Sequence, residues 1–255
     1  MQPIPHGHGE SRERIYNRPM PITTLGIDAD DTLWQNEDHY HLTTKAFVGL
    51  LEPWVDEDTI NGALLETERR NLTVFGYGAK GFTLSMIETA LAVTDHRIDG
   101  AHVERIIDLG KQLLSHPVEL LDGVASTLPG LAARYRLVLI TKGDLFHQES
   151  KVAASGLAEQ FDHIEIVAEK DEPTYRRVLD RLGVDAGEFC MVGNSVRSDV
   201  NPVLEIGGYG IHVPYHVTWE LERAPSKHGH PRMAEVSAFA EIPGAVDRLA
   251  ARQAA

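Results

Sequence analysis

"LGIDADDTLW", residues 25–34, sets a short apolar run directly against three carboxylates in four positions, Asp28, Asp30 and Asp31. Like charges held this close repel one another, and a chain gains no stability from crowding them. A cation among them is the physical answer, and the rest of the chain can be searched for the other parts of a cation-assisted site.

Outward from this stretch, five apolar runs have strand length: "TTLGI" (23–27), "LVLIT" (137–141), "IEIV" (164–167), "FCMV" (189–192) and "YGIHV" (209–213). Several are nearly continuous in apolar character, as buried parallel strands are. From residue 122 onward they alternate with helical patterns, "DGVASTLPGLAARY", "HQESKVAASGLAEQF", "PTYRRVLDRLG" and "SDVNPVLEIGG". That alternation predicts right-handed crossovers and a parallel sheet covered by helices. Between the first two strands lie about ninety residues, too many for one crossover, and they carry helical patterns only. "FTLSMIETALAV" places Leu84, Ile87 and Leu91 on one face, and "AHVERIIDLGKQLL" repeats Val103, Ile106, Ile107, Leu113 and Leu114 at helical spacing. The expected organisation is a loose arm over 1–21, an α/β core over 22–36 and 119–255, and a helical unit inserted at 37–118.

Composition bounds the function. The 255 residues are 42% hydrophobic and 24% charged, as in a globular chain with a substantial core. A net charge of −14 excludes nucleic acid and anionic membrane surfaces as expected partners, because both are held by lysines and arginines. A small anionic substrate stays open, since local cations override the global field. One cysteine, Cys190, rules out an internal disulfide, and its apolar neighbours make it a buried structural thiol. The first twenty residues hold no apolar signal-type run, so a cytoplasmic protein is expected. "HGH" at 6–8 and again at 228–230 reads as solvated loop.

In open parallel sheets, ligands collect beyond the carboxyl ends of the strands. The first strand ends at Asp28 and Asp30, the second at Thr141, Lys142 and Gly143. The third is followed by Lys170, and the fourth by "GNSVRSD" with Asn194 and Asp199. Together these make an inventory for phosphate and Mg²⁺. Mg²⁺ takes hard oxygen ligands and keeps waters where the protein supplies none. Asp28, Asp199 and the backbone carbonyl near Asp30 are candidate ligands, with the Asn194 amide oxygen beside them. An aspartate near phosphorus can act as a nucleophile. Asp30, two residues on, projects to the same side and can exchange a proton with the leaving oxygen. Thr141 and the amides of Lys142 and Gly143 can hold phosphoryl oxygens, while Lys170 offsets their charge.

These motifs resemble those of the haloacid dehalogenase-like (HAD) hydrolases: "IDADDT", "LVLITKG", Lys170 in "EKDEPTY" and "MVGNSVRSD", in order. The likeness spans about residues 22–220, with a helical insertion where C1-capped members carry theirs. It implies a Rossmann-like doubly wound parallel sheet with an α-helical cap, Mg²⁺ as cofactor, Asp28 as nucleophile and Asp30 as acid and base. Phosphatases and phosphomutases of the family share an acid at the position of Asp30, whereas 2-haloacid dehalogenases lack it. Two departures stand out: Asn194 replaces an acidic residue, and Asp171 follows the lysine in place of Pro. Lys151 is a rival for the lysine role, with Lys170 preferred.

The resemblance to C1-capped members implies that the glycine-rich "VFGYGAKGF" (74–82) leans over the site, with Tyr77 and Lys80 as candidates to touch the leaving group; the alternative is a plain helix–helix turn with glycine caps. His216 and Trp219 either line the pocket or pack under a loop, and Asp144 reads as a helix N-cap. The expected function is removal of phosphate from a small phosphorylated metabolite through an aspartyl-phosphate. A phosphomutase of the same fold, or a low-turnover phosphate- and metal-binding protein, is the alternative.

Overall fold

A computed structural model describes residues 22–253, so the arm expected at 1–21, with its HGH, lies outside the described residues. The five expected strands form as β1 (Thr24–Ile27), β2 (Arg136–Lys142), β3 (His163–Val167), β4 (Phe189–Gly193) and β5 (Tyr209–His212). A sixth, β6 (Met233–Glu235), has only three residues and no apolar run to announce it. All pair in parallel in the order β3-β2-β1-β4-β5-β6. The chain builds outward on one side of β1 and then crosses to the other. The ends of β1 and β4 therefore flank the point where the strand order reverses, the usual place for a ligand crevice.

The central strands are dry on both faces. Leu137 and Leu139 of β2 join one cluster with helices α5 (Val124–Ala132) and α9 (Ile242–Gln253). The alternate residues Val138 and Ile140 join another, with Tyr175, Val178 and Leu179 of α7 (Glu172–Leu182). Two-sided burial explains why these strands read as continuous apolar runs. Gly26 in β1 is fixed by the same packing, because a Cβ there would lie 2.5 Å from the Phe189 ring and 2.8 Å from Met191 Sδ. Cys190 is fully buried in β4, and burial pushes its thiol up. Strand β3 departs from the expectation. It is an edge strand with Ile164 41% exposed, and its apolar residues alternate with His163 and Glu165.

Between β1 and β2 come four helices, α1 (Glu37–Leu51), α2 (Glu57–Phe75), α3 (Ala79–Val93) and α4 (Gly100–Leu114). Their apolar side chains form a cluster of their own, separate from the sheet. The expected face of α3 is right for Ile87 and Leu91, which pack against this cluster, but not for Leu84. Phe82, Met86 and Ala90 are buried, while Leu84 is 41% exposed. The helix is apolar on several sides, so periodicity could not choose the face. The small residues decide it, with Ser85 close enough to α2 to accept a 3.1 Å bond from Asn71. On α4, Ile106 and Leu113 face inward and Ile107 is turned to solvent.

Two short elements matter for the site. Helix α6 (Leu145–Ser155) follows β2, capped by the Asp144 side chain on the His147 amide. After β4 comes a single π-type turn, Val196–Val200, leading into the short α8 (Asn201–Glu205). Asp171, standing where the family pattern has Pro, caps α7 by accepting the Thr174 amide at 2.9 Å.

Candidate active site

The three crowded aspartates go to three different places. Asp31 adopts φ 60° and turns its carboxylate onto the start of α1, accepting the Asn36 and Glu37 amides at 2.9 and 3.0 Å. It serves the helix N-terminus and not the strand end. Burial pushes its carboxyl up to about 8, against those amides. Asp30 accepts hydrogen bonds from Trp34 Nε1 at 2.7 Å and Gln148 Nε2 at 3.0 Å, and pairs with Lys151 at 2.5 Å. Burial opposes its ionisation, but Lys151 and these donors outweigh it and hold the carboxyl below the usual range. Asp28 is buried at the end of β1, ion-paired with Lys170 and within 3.3 Å of the Thr32 hydroxyl.

Lys170, not Lys151, is thus the lysine beside Asp28. Its ammonium also donates to Asp199 at 2.7 Å, and both partners are almost wholly buried. One cation serves two carboxylates. Burial therefore pushes Asp28 up to about 7; Lys170 lowers it, while Asp199 raises it further. Lys170 is itself shifted upward, because Asp199 and Asp28 outweigh its own burial. The π-type turn holds Asp199 in place, its Oδ2 accepting the Ser195 amide at 3.0 Å. Gly193 is required here, since a Cβ would lie 2.2 Å from that same oxygen.

At the end of β2, Thr141 Oγ1 accepts a 2.8 Å bond from Gln148 Nε2. That leaves the Thr141 hydroxyl proton free to be donated into the cavity. Gln148 thereby links Thr141 to Asp30. Lys142 reaches away from that pair, bonding to Glu222, to Ser198 Oγ at 2.9 Å and to Glu169 at 3.4 Å. It also sits 4.0 Å over the Tyr77 ring, whose hydroxyl donates to Glu169 at 2.7 Å. Gly143, at φ 142°, lies against the Gln148 side chain. Asn194 is held by its backbone, its amide on Thr32 Oγ1 at 3.1 Å and its carbonyl accepting from His212 at 3.1 Å. Its side chain makes no hydrogen bond to another described residue and lines the cavity.

These groups line one cavity of about 360 Å³, floored by the strand ends and walled by α1, α2 and the start of α3. Asp28, Asp30, Thr141, Lys142, Gly143, Lys170, Asn194 and Asp199 all reach it, as do Tyr77 and Trp219. Lys80 does not. It is half exposed and pairs with Asp144 at 2.9 Å, tying α3 to the cap of α6. Lys80, expected to touch the leaving group, is not brought to the cavity in this structure, because Asp144 holds it. Lys80→Ala should lower stability by less than about 1 kcal/mol, as for other exposed pairs, when measured by urea unfolding. His216 is likewise outside, paired with Asp38 at 2.9 Å, whereas Trp219 packs edge-on to Tyr77.

Among the described residues, no three acidic, histidine or cysteine side chains form a ready metal cage. Mg²⁺ does not need one, since it binds through one or two carboxylates and keeps its waters. Asp28 and Asp199 offer hard oxygens in a place short of positive charge, so the donor set suits such an ion. The Asp30 carboxylate is engaged elsewhere, which leaves only its main-chain oxygen for this role.

Comparison with known proteins agrees with the geometry. A family model described as haloacid dehalogenase-like hydrolase matches residues 22–203. The chain belongs to that family. A haloacid dehalogenase-like family hydrolase from Xanthomonas campestris is 47% identical, with 91% of this chain and 94% of that one covered and a TM-score of 0.83. This HAD hydrolase is also 33% identical over 99 residues to the N-acylneuraminate-9-phosphatase of Mus musculus. That match covers 37% of this chain and 40% of the mouse protein. An L-2-haloacid dehalogenase from Xanthobacter autotrophicus shares the fold at 18% identity, with a TM-score of 0.62 and 89% and 98% of the chains covered.

Several members of the site had no place in the sequence reading. Gln148 was detectable, because an N-cap at Asp144 puts residue 148 on the first turn facing the end of β2. Trp34 lies four residues beyond Asp30 and folds back in an isolated bridge. Glu222 carries no such signal, since only the fold brings it to Lys142, eighty positions away.

Proposed function

We propose that this HAD hydrolase is a Mg²⁺-dependent phosphomonoesterase acting on a small phosphorylated metabolite through an aspartyl-phosphate. The observation that carries the reading is Asp28 and Asp30 together on one cavity floor, with Thr141 and Lys170 beside them. A displaced halide needs no proton, whereas an alkoxide does, so an acid in the place of Asp30 suits phosphate esters. The phosphatase name of the mammalian relatives points the same way, although they align over only part of their length.

In this reading the Asp28 carboxylate attacks phosphorus, and the bond to the leaving oxygen breaks as Asp30 delivers a proton to it. Asp30, now ionised, takes a proton from the water that attacks phosphorus next. The phosphorus–Asp28 bond breaks, and inorganic phosphate and free Asp28 result. Lys170 and the Thr141 hydroxyl hold the phosphoryl oxygens, and Gln148 fixes the Thr141 rotor. Asp28, Asp199 and the carbonyl of Asp30 would hold Mg²⁺, which supplies positive charge to the phosphoryl group as its charge develops. Asp30 begins ionised against Lys151, so substrate entry must loosen that pair and Asp30 must first take up a proton, from water or from a phosphate monoanion as it binds, before it can give one to the leaving oxygen.

The test is phosphate release from an aryl phosphate by the purified chain, with Mg²⁺ and with a chelator, beside halide release from 2-chloropropionate. Metal-dependent phosphate release and no halide release is the expected result. Halide release alone would overturn the proposal. Asn194 offers a finer check. Asn194→Asp adds a carboxylate to the cavity that Asp28 and Asp199 line and should lower the Mg²⁺ concentration for half-maximal activity by about tenfold in a metal titration.

A further inference from the structure

The cavity is charged unevenly. Every lysine lining it stands on the floor, and each already faces a carboxylate: Lys170 with Asp28 and Asp199, Lys151 with Asp30, Lys142 with Glu222. The walls supplied by α1, α2 and α3 contribute no lysine or arginine. They contribute Glu37 and Glu68, one histidine (His41), and otherwise amide, hydroxyl and apolar surface from residues such as Asn71, Ser85 and Phe82. The Glu37 carboxylate has no hydrogen bond or ion pair with another described residue, and Glu68 has only Trp219. Burial pushes both carboxyls up to about 7, and Glu68 and Asp30 push Glu37 further in the same direction.

We infer that the leaving group of the substrate presents hydrogen-bond donors, hydroxyl or ammonium groups, to Glu37 and Glu68 and carries no second anion. The inference rests on the phosphomonoesterase reading and narrows it to a substrate class. The phosphoryl group is provided for on the floor. A carboxylate or second phosphate on the leaving group would instead meet two carboxylates with no cation beside them in a poorly solvated wall, where like charges repel strongly. On the floor Lys142 would have to give up Glu222 and Ser198 to receive it, and Lys151 would have to give up Asp30. A hydroxyl or ammonium group satisfies Glu37 and Glu68 with no such exchange. Selectivity then comes from repulsion of the wrong ligand as much as from attraction of the right one.

The experiment compares three phosphates on one open-chain skeleton: sorbitol 6-phosphate, 6-phosphogluconate and 1-amino-1-deoxysorbitol 6-phosphate. For the full chain with Mg²⁺ at about pH 8.5, where carboxyls pushed up to about 7 are ionised, kcat/KM should favour the polyol over the acid by about twentyfold, with the amine equal to the polyol or better. In the Glu37→Gln, Glu68→Gln double variant the polyol-to-acid ratio should fall to about threefold or less, because the repulsion is gone. Glu68→Gln alone should fall between, which serves if the double variant does not fold. Calorimetric binding of the three compounds to the wild-type chain reads the same order without turnover. If an aryl phosphate is not hydrolysed, the phosphomonoesterase reading fails while the binding order still decides this inference. Acid bound or turned over as well as polyol, no binding of the polyol, or a ratio unmoved by the Gln variants would overturn it.

Discussion

Replacing Asp28 with Asn is expected to leave a folded chain whose turnover is lower by at least about a thousandfold. An amide oxygen is a poor nucleophile toward phosphorus, and the covalent route has no substitute on this floor. The fold should survive, because Asp28 is already the strained member of its group. Its carboxyl is pushed to about 7 by burial and by Asp199, so removing the charge relieves repulsion as well as losing an ion pair. Lys170 keeps Asp199 as its partner at 2.7 Å. The measurement is phosphate release under saturating substrate and Mg²⁺, paired with thermal unfolding. Retention of a tenth of wild-type activity would remove Asp28 from the nucleophile role, and a collapsed melting transition would show that it is chiefly structural.

How far the sequence could be read depends on what each residue answers to. Strand positions and strand ends were legible, because burial on both faces of β1, β2 and β4 leaves continuous apolar runs that stop where the chemistry begins. That is why Asp28, Thr141, Lys170 and Asp199 stand together in space as they stand in order along the chain. The edges were harder. β3 alternates with exposed residues, and β6 is held by only three pairings to β5, so neither writes a strong pattern. Side-chain partners were harder still. Asp31 looks like a third metal carboxylate in a linear reading, yet its positive φ turns it to the start of α1. Lys80 looks like a free cation in a glycine-rich loop, yet Asp144, itself tied to a helix cap, takes it up. Sequence patterns report which residues are buried and where elements end. They do not report which of two nearby charges a lysine will choose.

The Lys170 group turns that choice into a measurable consequence. Lys170→Met should lower stability by about 3 kcal/mol at pH 8 in metal-free buffer, since it leaves Asp28 and Asp199 buried without their common cation. Loss of turnover should accompany it, because the phosphoryl oxygens lose their nearest positive charge. The loss of stability should depend on pH in a definite direction. In the folded wild-type chain burial pushes the Asp28 carboxyl up to about 7 from its ordinary 3.8, so between those values folded chain holds a proton that unfolded chain has released. A carboxyl raised in this way contributes stability that is fully present below pH 3.8 and is lost as pH rises through the folded value, at about 1.4 kcal/mol per pH unit. In the wild type that loss levels off near pH 7, where Lys170 begins to stabilise the ionised form. Without Lys170 the Asp28 carboxyl moves higher and the decline continues. The two stability curves should therefore run roughly parallel between pH 5 and 6.5, offset by the lost Lys170–Asp199 pair, and separate above pH 7. Denaturant unfolding in EDTA across pH 5–9 checks this. Curves that stay parallel to pH 9 would mean that Asp28 does not depend on Lys170 for its charge, and that the lysine serves Asp199 alone.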